Sequence, residues 1–440
     1  MNPRTTRRAA VRWPGSLLLL LLLLLPATVA AAGLKVGVAV RIVTPDPLLP
    51  VSGGVGPSHP TREHRGELTV RALVLEEGSI RVAIVATDFL GFPAALGDRV
   101  RAAAEGIPAE NILIGASHTH SAPDCYAFPD AQGRTSADLG YLDRVCDRTV
   151  EAIQAALGGL QPAVIRVATG KAQGRIAFNY YAEQLYDPRC SVVQFLTPER
   201  KPIATLVNYA IHPEVLGSEV GILSPDLVGP LYDRIAEQGG GVGVFMNSAQ
   251  GGMVTADNRG PNRDQDLREW SECLRIGRLL ADEALRIVAD APVQEAPALS
   301  CHSRVIRLPV DSPELRFILQ NSPLHHGRPG ADDVTTRLNL VNLGNAQMLT
   351  IPGEALPNLG FYLKRKMRGE HNLLFGLTND AFGYIMSKYD WRSFERYNYI
   401  SRVCLGEMTG EHYVEEALKL VAEVPAPEGV PSTSSDRFPR

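Results

Sequence analysis

Short apolar runs recur along the chain from residue 33 onwards, and many of them are apolar at successive positions rather than at alternate ones. Continuous runs of this kind are typical of strands that are covered on both faces. The candidate strands are LKVGVAV, LTVRALVLEEG, RVAIVATD, NILIGAS, AVIRVATG, SVVQFLT, PIATLVNYAIHP, GVGVFMNS, RVIRLPV, LNLVNLGNAQMLTIPGE and NLLFGLTN. The pattern predicts several sheets with cover on both sides.

Helical spacing of apolar residues appears in three longer stretches, YLDRVCDRTVEAIQAALGGL, SPDLVGPLYDRIAEQGGG and LREWSECLRIGRLLADEALRIVA. In the second stretch Ser224 is expected to be the N-cap and Pro225 to lie in the first turn. Strands that alternate with helices predict an α/β fold of layered, mixed β-sheets with flanking helices. We expect one domain over residues 33–422 and a disordered tail over residues 423–440, which are rich in proline and serine.

The N-terminus has the order of a secretory signal peptide. Four arginines precede a run of leucines at 17–25, and small residues follow as far as Gly33. We therefore expect residues 1–32 to be removed and the protein to be exported, either to a periplasm or as a secreted protein. The alternative is a retained membrane anchor, which is disfavoured because the apolar run is short for a bilayer span.

Composition narrows the remaining classes of function. The 440 residues carry a formal net charge of −4, without a basic stripe, so nucleic-acid binding is not expected. The sequence has no Cys-x-x-Cys pair, which argues against a zinc site made of thiolates. Disulfides and buried free thiols both remain open for its six cysteines, which are Cys125, Cys146, Cys190, Cys273, Cys301 and Cys404.

Candidate chemistry begins in ILIGASHTHSAPDCY, where an apolar strand runs into a His-Thr-His sequence. Residues two apart in an extended segment point to the same side, so His118 and His120 should face the same space. They are compatible with two metal ligands, with one ligand beside a proton carrier, or with ordinary polar loop residues. The spacing alone does not choose among these readings.

Other polar residues also follow apolar runs directly, in the positions where α/β proteins concentrate their chemistry. Each has an ordinary structural explanation when it is taken alone, such as a loop histidine, a turn serine or an acid at a helix N-terminus. Only the combination of these residues therefore indicates a functional site. These residues are His212, Ser248, Glu354 and Tyr384, with Tyr397 and Tyr399 further on.

Five segments in order resemble the neutral (alkaline, non-lysosomal) ceramidase family: SHTHSAP, NYAIHPEVLG, FMNSAQGG, TIPGEALPNLG and NDAFGYIMSKYDWRSFERY. The segment LKVGVAVRIVTP also resembles the opening strand of that family, so the likeness covers essentially the whole mature chain. The resemblance implies the family's N-terminal catalytic domain without its C-terminal immunoglobulin-like domain. It also implies a zinc-dependent amidase that cleaves the N-acyl bond of ceramide.

The resemblance implies a role for each matching residue. Zinc would be held by His118, His212, Glu354 and Tyr384. His120 corresponds to a histidine beside the metal that can carry a proton, Ser248 to the serine of the family's turn, and Tyr397 to a second active-site tyrosine, with Tyr399 as its alternative.

Two imidazoles and a carboxylate are a standard catalytic zinc set that leaves room for water, whose pKa zinc lowers to about 7. The expected mechanism is attack by this zinc-activated water. The alternative makes Ser248 a covalent nucleophile, which needs an adjacent base. It is disfavoured because no Gly-x-Ser-x-Gly elbow surrounds Ser248.

The chain departs from the family pattern at several points. The serine turn continues as Gly-Gly-Met-Val-Thr instead of Gly-Asp-Val-Ser-Pro, and Tyr180 stands where the family has an arginine. Tyr384 and Tyr397 are also one residue further apart than in the family.

Three functions follow from these observations. The leading one is an exported zinc amidase acting on ceramide or a related N-acyl lipid. A transient contact with a membrane surface is compatible with this function. The second is a zinc hydrolase of the same fold that acts on a non-lipid amide or ester. The third is a non-catalytic binding protein that has kept the scaffold.

Overall fold

The computed structural model describes residues 33–263, 265–324 and 332–427, together with residues 1, 6, 9 and 10. The expected signal peptide therefore lies almost wholly outside the described residues, as does the expected tail from residue 428 onwards. From Gly33 the described residues form one compact unit. No helix within the described ranges has both the length and the apolar character that a membrane crossing requires.

Eight α-helices lie in the described residues: α1 Ala94–Ala103, α2 Leu139–Gly158, α3 Val228–Glu237, α4 Trp270–Val288, α5 Pro313–Asn321, α6 Pro357–Lys366, α7 Asn398–Arg402 and α8 Thr409–Glu423. The strands are β1 Lys35–Ile42, β2 Val51–Ser52, β3 Glu63–His64, β4 Thr69–Glu77, β5 Ile80–Thr87, β6 Ile112–Ala116, β7 Ala122–Pro123, β8 Gln161–Pro162, β9 Val164–Lys171, β10 Ala177–Asn179, β11 Arg189–Leu196, β12 Pro202–Tyr209, β13 Ile222–Leu223, β14 Val242–Asn247, β15 Val254–Ala256, β16 Val293–Gln294, β17 Leu299–Pro309, β18 Asp333–Leu343, β19 Ala346–Thr350, β20 Glu354–Ala355, β21 His371–Phe375 and β22 Tyr384–Ile385.

Three larger sheets carry the architecture. The first has the strand order β6-β5-β4-β1-β8, the second β14-β12-β11-β9-β16, and the third β17-β18-β19-β21. Each is antiparallel except for one parallel pair at an edge, which is β5 with β6, β12 with β14, and β19 with β21 respectively. The sheets are therefore mixed, and the predicted fold class is confirmed.

The cores explain why so many strands are apolar on both faces. A central core joins the inner faces of all three sheets, with Ile84 from the first, Phe195 from the second and Phe375 from the third. The outer face of the first sheet packs against α1 and α2, that of the second against α3 and α4, and that of the third against α5, α6 and α8. Each sheet is thus buried between its own helices and the other sheets.

The predicted start of α3 at Ser224 is wrong, because the helix begins at Val228. Asp226 takes a left-handed conformation, with φ of 54°, and its carboxylate accepts hydrogen bonds from the backbone N–H groups of Leu216 and Leu227. Ser224 Oγ in turn accepts a hydrogen bond from Asp226 N at 2.9 Å. These hydrogen bonds anchor the loop at Leu216 to the turn at Asp226, and the helix begins only after this turn.

All six cysteines are free thiols in the structure, and all but Cys301 are buried. Burial raises the pKa of the Cys125 and Cys190 thiols well above the usual value. Of the two alternatives that the sequence leaves open, the structure contains buried thiols that behave as small apolar side chains.

Candidate metal and catalytic site

The candidate residues emerge from the parallel pairs of the three sheets. His118 follows β6 of the first sheet, and His212 and Ser248 follow β12 and β14 of the second. Glu354 and Tyr384 follow β19 and β21 of the third. The carboxyl ends of parallel strands lie at the same edge of a sheet, and here the three edges meet.

His118 is held by the backbone of the loop that follows β5. Its backbone N–H donates to the carbonyl of Phe89 at 2.9 Å, and its Nδ1–H donates to the carbonyl of Leu90 at 2.5 Å. The residue is buried and takes a left-handed conformation, with φ of 74°, which is uncommon for a side chain of this size. Because Nδ1 is held by this carbonyl, Nε2 is the ring nitrogen that faces the site.

His212 is held in the same manner by Val254 in β15. Both its backbone N–H and its Nδ1–H donate to the Val254 carbonyl, each at 2.8 Å. The side chain is completely buried. A carbonyl that fixes Nδ1 of a histidine leaves Nε2 free for a metal, which is the usual outer-shell arrangement of metal-binding histidines.

Glu354 contacts both histidines through one carboxylate oxygen. Its Oε2 lies 3.1 Å from His212 Nε2 and 3.4 Å from His118 Nε2. Burial raises the pKa of the carboxyl, but the charges and hydrogen bonds of the two imidazoles outweigh burial, so that the pKa lies well below its usual range. Burial lowers the pKa of His212, but the hydrogen bond that its Nε2–H donates to the Glu354 carboxylate more than reverses this, so the pKa lies above its usual value.

His120 lies beside this pair, on the cleft side. Its ring centroid is 4.8 Å from that of His118, and its Nδ1 is 3.6 Å from Glu214 Oε2. Its Nε2 is buried and has no hydrogen-bond partner among the described residues. Burial, followed by the neighbouring His118 and His212, lowers the pKa of His120 well below its usual value, so the ring is neutral at pH 7.

These groups fit a metal ion. The ligand nitrogens of His118, His120 and His212 lie within 4.8 Å of one another. Four tetrahedral ligands at roughly 2.0–2.1 Å from zinc are themselves about 3.3–3.4 Å apart, and the two distances from Glu354 to the histidines are close to this value. The buried, unpartnered Nε2 of His120 also points to a missing polar neighbour.

Tyr384 is paired with Glu354 across the short parallel sheet of β20 and β22, so the two residues stand side by side. Burial raises the pKa of its phenol well above the usual value, and the hydroxyl donates to Met253 Sδ at 3.1 Å. The Tyr399 ring lies 6.1 Å from that of Tyr384 and borders the same cleft. The Tyr397 ring packs instead against Tyr181, at 5.4 Å, and does not line the cleft.

Ser248 lies at the end of β14 in a tight turn against Glu354. Gly251 N donates to the carbonyl of Ala355 at 3.0 Å, and a Cβ at Gly251 would lie 2.2 Å from the carbonyl oxygen of Glu354. The glycine therefore permits the close approach of this turn to the acid. Ser248 itself is 2% exposed, and within the described residues no hydrogen bond joins its Oγ to an imidazole.

A cleft opens onto the histidines. Its polar and aromatic lining residues include His118, His120, Glu354, Tyr384 and Asp380. Much of the remaining lining is apolar, and part of it comes from three side chains of α5 and one aromatic side chain of the loop after β7. These four residues are Leu315, Ile318, Leu319 and Phe128.

No protein-family model and no curated protein matches the sequence. Among solved structures, neutral ceramidase from Pseudomonas aeruginosa matches with a TM-score of 0.72 and 16% identity, over 91% of this chain and 77% of that one. A ceramidase complexed with C2 matches with a TM-score of 0.71 and 17% identity, over 90% and 76% of the two chains.

The chain has the neutral ceramidase fold. The family resemblance drawn from the five sequence motifs is thereby confirmed at the level of the fold. The five motifs also meet in space, since each contributes a residue to the region around Glu354. Tyr180, which stands where the resembling family has an arginine, is 65% exposed and does not line the cleft.

Within the neutral ceramidase fold, two buried residues near the site escaped the sequence analysis. Asn247 makes hydrogen bonds to the chain segments that precede both His118 and His212. Asp380 lines the cleft and accepts hydrogen bonds from the backbone N–H groups of Ala94 and Ala381. Both lie inside motifs that were recognised, but Asn247 bonds to Ser117 and Asp380 to Ala94, which are remote in sequence, so no local pattern marks them.

Proposed function

We propose that the protein is a zinc-dependent amidase that hydrolyses the N-acyl bond of ceramide or of a related N-acyl lipid. The observation that carries the proposal is the cleft, whose lining combines many apolar side chains with His118, His120 and Glu354. A mostly apolar pocket with a few polar groups at one end suits a substrate with a long hydrocarbon chain beside a reactive amide. The neutral ceramidase fold supports the same class of substrate.

In this proposal zinc is held by His118, His212 and Glu354, with Tyr384 as the fourth protein ligand. Nitrogen and carboxylate donors of this kind suit zinc. When bound, zinc would lower the pKa of a water molecule and polarise the amide carbonyl. The carbonyls of Leu90 and Val254 fix the two rings, which keeps Nε2 of each directed to the ion.

His120 is the proposed proton carrier. Its lowered pKa keeps it neutral at pH 7, so it can accept a proton from the attacking water and pass it to the leaving amine. Glu214, 3.6 Å from Nδ1, would stabilise the ring while it holds that proton. An imidazole that faces both the cleft and the metal group is well placed for this exchange.

Tyr399 is the proposed donor to the oxygen that becomes negatively charged. Burial raises the pKa of its phenol to about 12, so the hydroxyl carries its proton throughout the working range of pH. A fixed O–H donor beside a developing oxyanion stabilises the transition state more than the ground state. The position of Tyr399 on the cleft favours it over Tyr397 for this role.

Substrate class is tested by a panel of N-acyl amides of increasing acyl length, from acetyl to palmitoyl, including ceramides and N-acyl amino acids. We expect kcat/KM to rise with acyl length. Ile318→Asn should remove about 10-fold or more of the preference for long chains, since lost apolar contacts in a pocket cost roughly 1–3 kcal/mol. The matched control is Phe317→Ser, because Phe317 lies on the same helix but is 41% exposed. Turnover of short, water-soluble amides alone would favour a hydrolase of non-lipid substrates.

We also propose that the protein acts outside the cytoplasm. The arginines, the leucine run and the small residues that precede Gly33 support this proposal. N-terminal sequencing of the protein from its native host should place the first residue between Ala31 and Gly33. An intact N-terminus on membrane-bound protein would favour the anchor instead.

A further inference from the structure

Asn247, at the end of β14, has a side-chain amide that uses its full hydrogen-bonding capacity. Its Nδ2 donates to the carbonyl of Ser117 at 3.0 Å and to that of Ile211 at 2.7 Å. Its Oδ1 accepts from Ile211 N at 3.2 Å and from Ser248 N at 2.9 Å. The residue is completely buried. Two donors and two acceptor positions are all that an asparagine amide possesses.

These partners have a specific place in the chain. Ser117 directly precedes His118, and Ile211 directly precedes His212. β6 and β12, which deliver the two histidines, belong to different sheets. Asn247 therefore connects the two sheets at the points where the two imidazoles leave them.

The contact with Ile211 imitates a strand pairing. The amide accepts from the N–H and donates to the carbonyl of the same residue, as the backbone of a neighbouring strand would do. β12 ends at Tyr209, so the regular ladder no longer supports the chain at this point. The side chain of Asn247 replaces that support for the segment that leads into His212.

We propose that Asn247 is a positioning residue that sets the separation of His118 and His212, and through it the affinity and geometry of the metal site. This inference rests on the proposed function, because it assumes that the two histidines bind a metal. Asn247 is not itself a proposed ligand. It acts through the backbone of the residue that precedes each histidine. Residues with such a role typically contribute 10–100-fold to metal affinity.

The test variant is Asn247→Asp, which keeps the shape of the side chain but turns both donors towards Ser117 and Ile211 into acceptors. The matched control is Asn342→Asp. Asn342 is also a buried amide; it donates to the carbonyl of Pro425 at 3.0 Å and accepts from Gln347 Nε2 at 2.9 Å, and neither partner adjoins a ligand. Each protein is assayed for thermal stability, for Zn²⁺ affinity by competition with a chromogenic chelator, and for the visible absorption spectrum of its Co²⁺ form.

We expect both variants to lose thermal stability, and Asn247→Asp alone to lose about 10–100-fold in Zn²⁺ affinity and to change the Co²⁺ spectrum. Equal Zn²⁺ affinity and an unchanged Co²⁺ spectrum in Asn247→Asp would overturn the inference. Asn247→Ser, which introduces no charge, serves as a second variant with the same expected readouts. If neither variant folds, Asn247 is a core residue and not a positioning residue, and the inference fails. If the wild-type protein binds no Zn²⁺, the failure belongs to the proposed function.

Discussion

Glu354 and His212 are joined by a contact of 3.1 Å between a carboxylate oxygen and an imidazole nitrogen, although 142 residues separate them in the chain. The same oxygen lies 3.4 Å from His118 Nε2. Both imidazoles have their other nitrogen fixed by a backbone carbonyl, so their Nε2 atoms are directed to one place. Three sheets contribute one residue each to this meeting point, which is why we place the metal there.

The role of Glu354 is tested by Glu354→Gln, which keeps the shape of the side chain but removes its charge. We expect Zn²⁺ affinity to fall by more than about 100-fold, which is the upper limit of what outer-shell groups typically contribute. Metal content after dialysis measures this loss. Glu214→Gln is the control, because Glu214 contacts His120 through Nδ1 and is not among the proposed ligands. Full metal retention in Glu354→Gln would show that the ligand set is wrong.

Ser248 distinguishes the two mechanisms for the attack on the amide. It is buried, and within the described residues its Oγ has no hydrogen bond to a base. We therefore expect Ser248→Ala to keep measurable turnover and the wild-type protein to show no acyl adduct by mass spectrometry. Loss of an obligatory nucleophile lowers kcat by up to about a million-fold, so a drop of that size with a trapped acyl-enzyme would favour covalent catalysis.

Substitution of the two tyrosines of the last motif, Tyr397 and Tyr399, should have different effects on kcat. Tyr399 borders the cleft, and Tyr399→Phe should lower kcat by about 10²–10³-fold if its hydroxyl stabilises the oxyanion. Tyr397 packs against Tyr181 away from the cleft, so Tyr397→Phe should keep kcat close to the wild-type value. The reverse order of effects would restore the assignment suggested by the family resemblance.

The raised pKa of Asp380 predicts how the stability of the protein depends on pH. Burial raises the pKa of its carboxyl to about 7, whereas the unfolded chain should have a pKa of about 3.9. The folded protein therefore binds this proton more tightly than the unfolded chain does. Protonated Asp380 stabilises the fold fully below about pH 4, and this stabilisation is lost as the pH rises through about 7.

Asp380→Asn keeps an oxygen for the N–H groups of Ala94 and Ala381 and removes the ionisation. We expect the free energy of unfolding in urea to rise relative to wild type at pH 8 and to rise less, or to fall, at pH 5. Asp290→Asn, at an exposed position, should leave this difference unchanged. An identical effect of Asp380→Asn at both pH values would contradict the raised pKa.

Most of the sheet structure could be predicted from the sequence, because burial on both faces leaves a simple signal. The run GVGVFMNS, for example, contains β14 at Val242–Asn247. Helix α5 was not predicted, since it has only nine residues and buries two of them, which gives a weak periodic signal. The start of α3 was misplaced because Asp226 accepts a hydrogen bond from Leu216, which precedes it by 10 residues, and local capping preferences do not include such contacts.

The same distinction applies to the site. His118, His212 and Glu354 follow apolar strands, so their position relative to the local pattern marks them as candidates. Asn247 also ends a strand, but its importance depends on a bond to Ser117, 130 residues away, that only the packing of two sheets creates. The choice between Tyr397 and Tyr399 likewise depends on how α7 is oriented against the cleft, and residue spacing alone does not determine this orientation.

The central claim is that a zinc ion held at His118, His212 and Glu354 is required for cleavage of an N-acyl lipid in the adjoining cleft. The most direct measurement follows the release of fatty acid from ceramide by purified protein, first stripped with a chelator and then titrated with Zn²⁺. We predict that stripped protein is inactive, that activity returns in full at one equivalent of Zn²⁺, and that Glu354→Gln does not recover in the same titration. Undiminished release of fatty acid by protein shown to be free of metal, or no release from ceramide by protein carrying one equivalent of Zn²⁺, would contradict the claim.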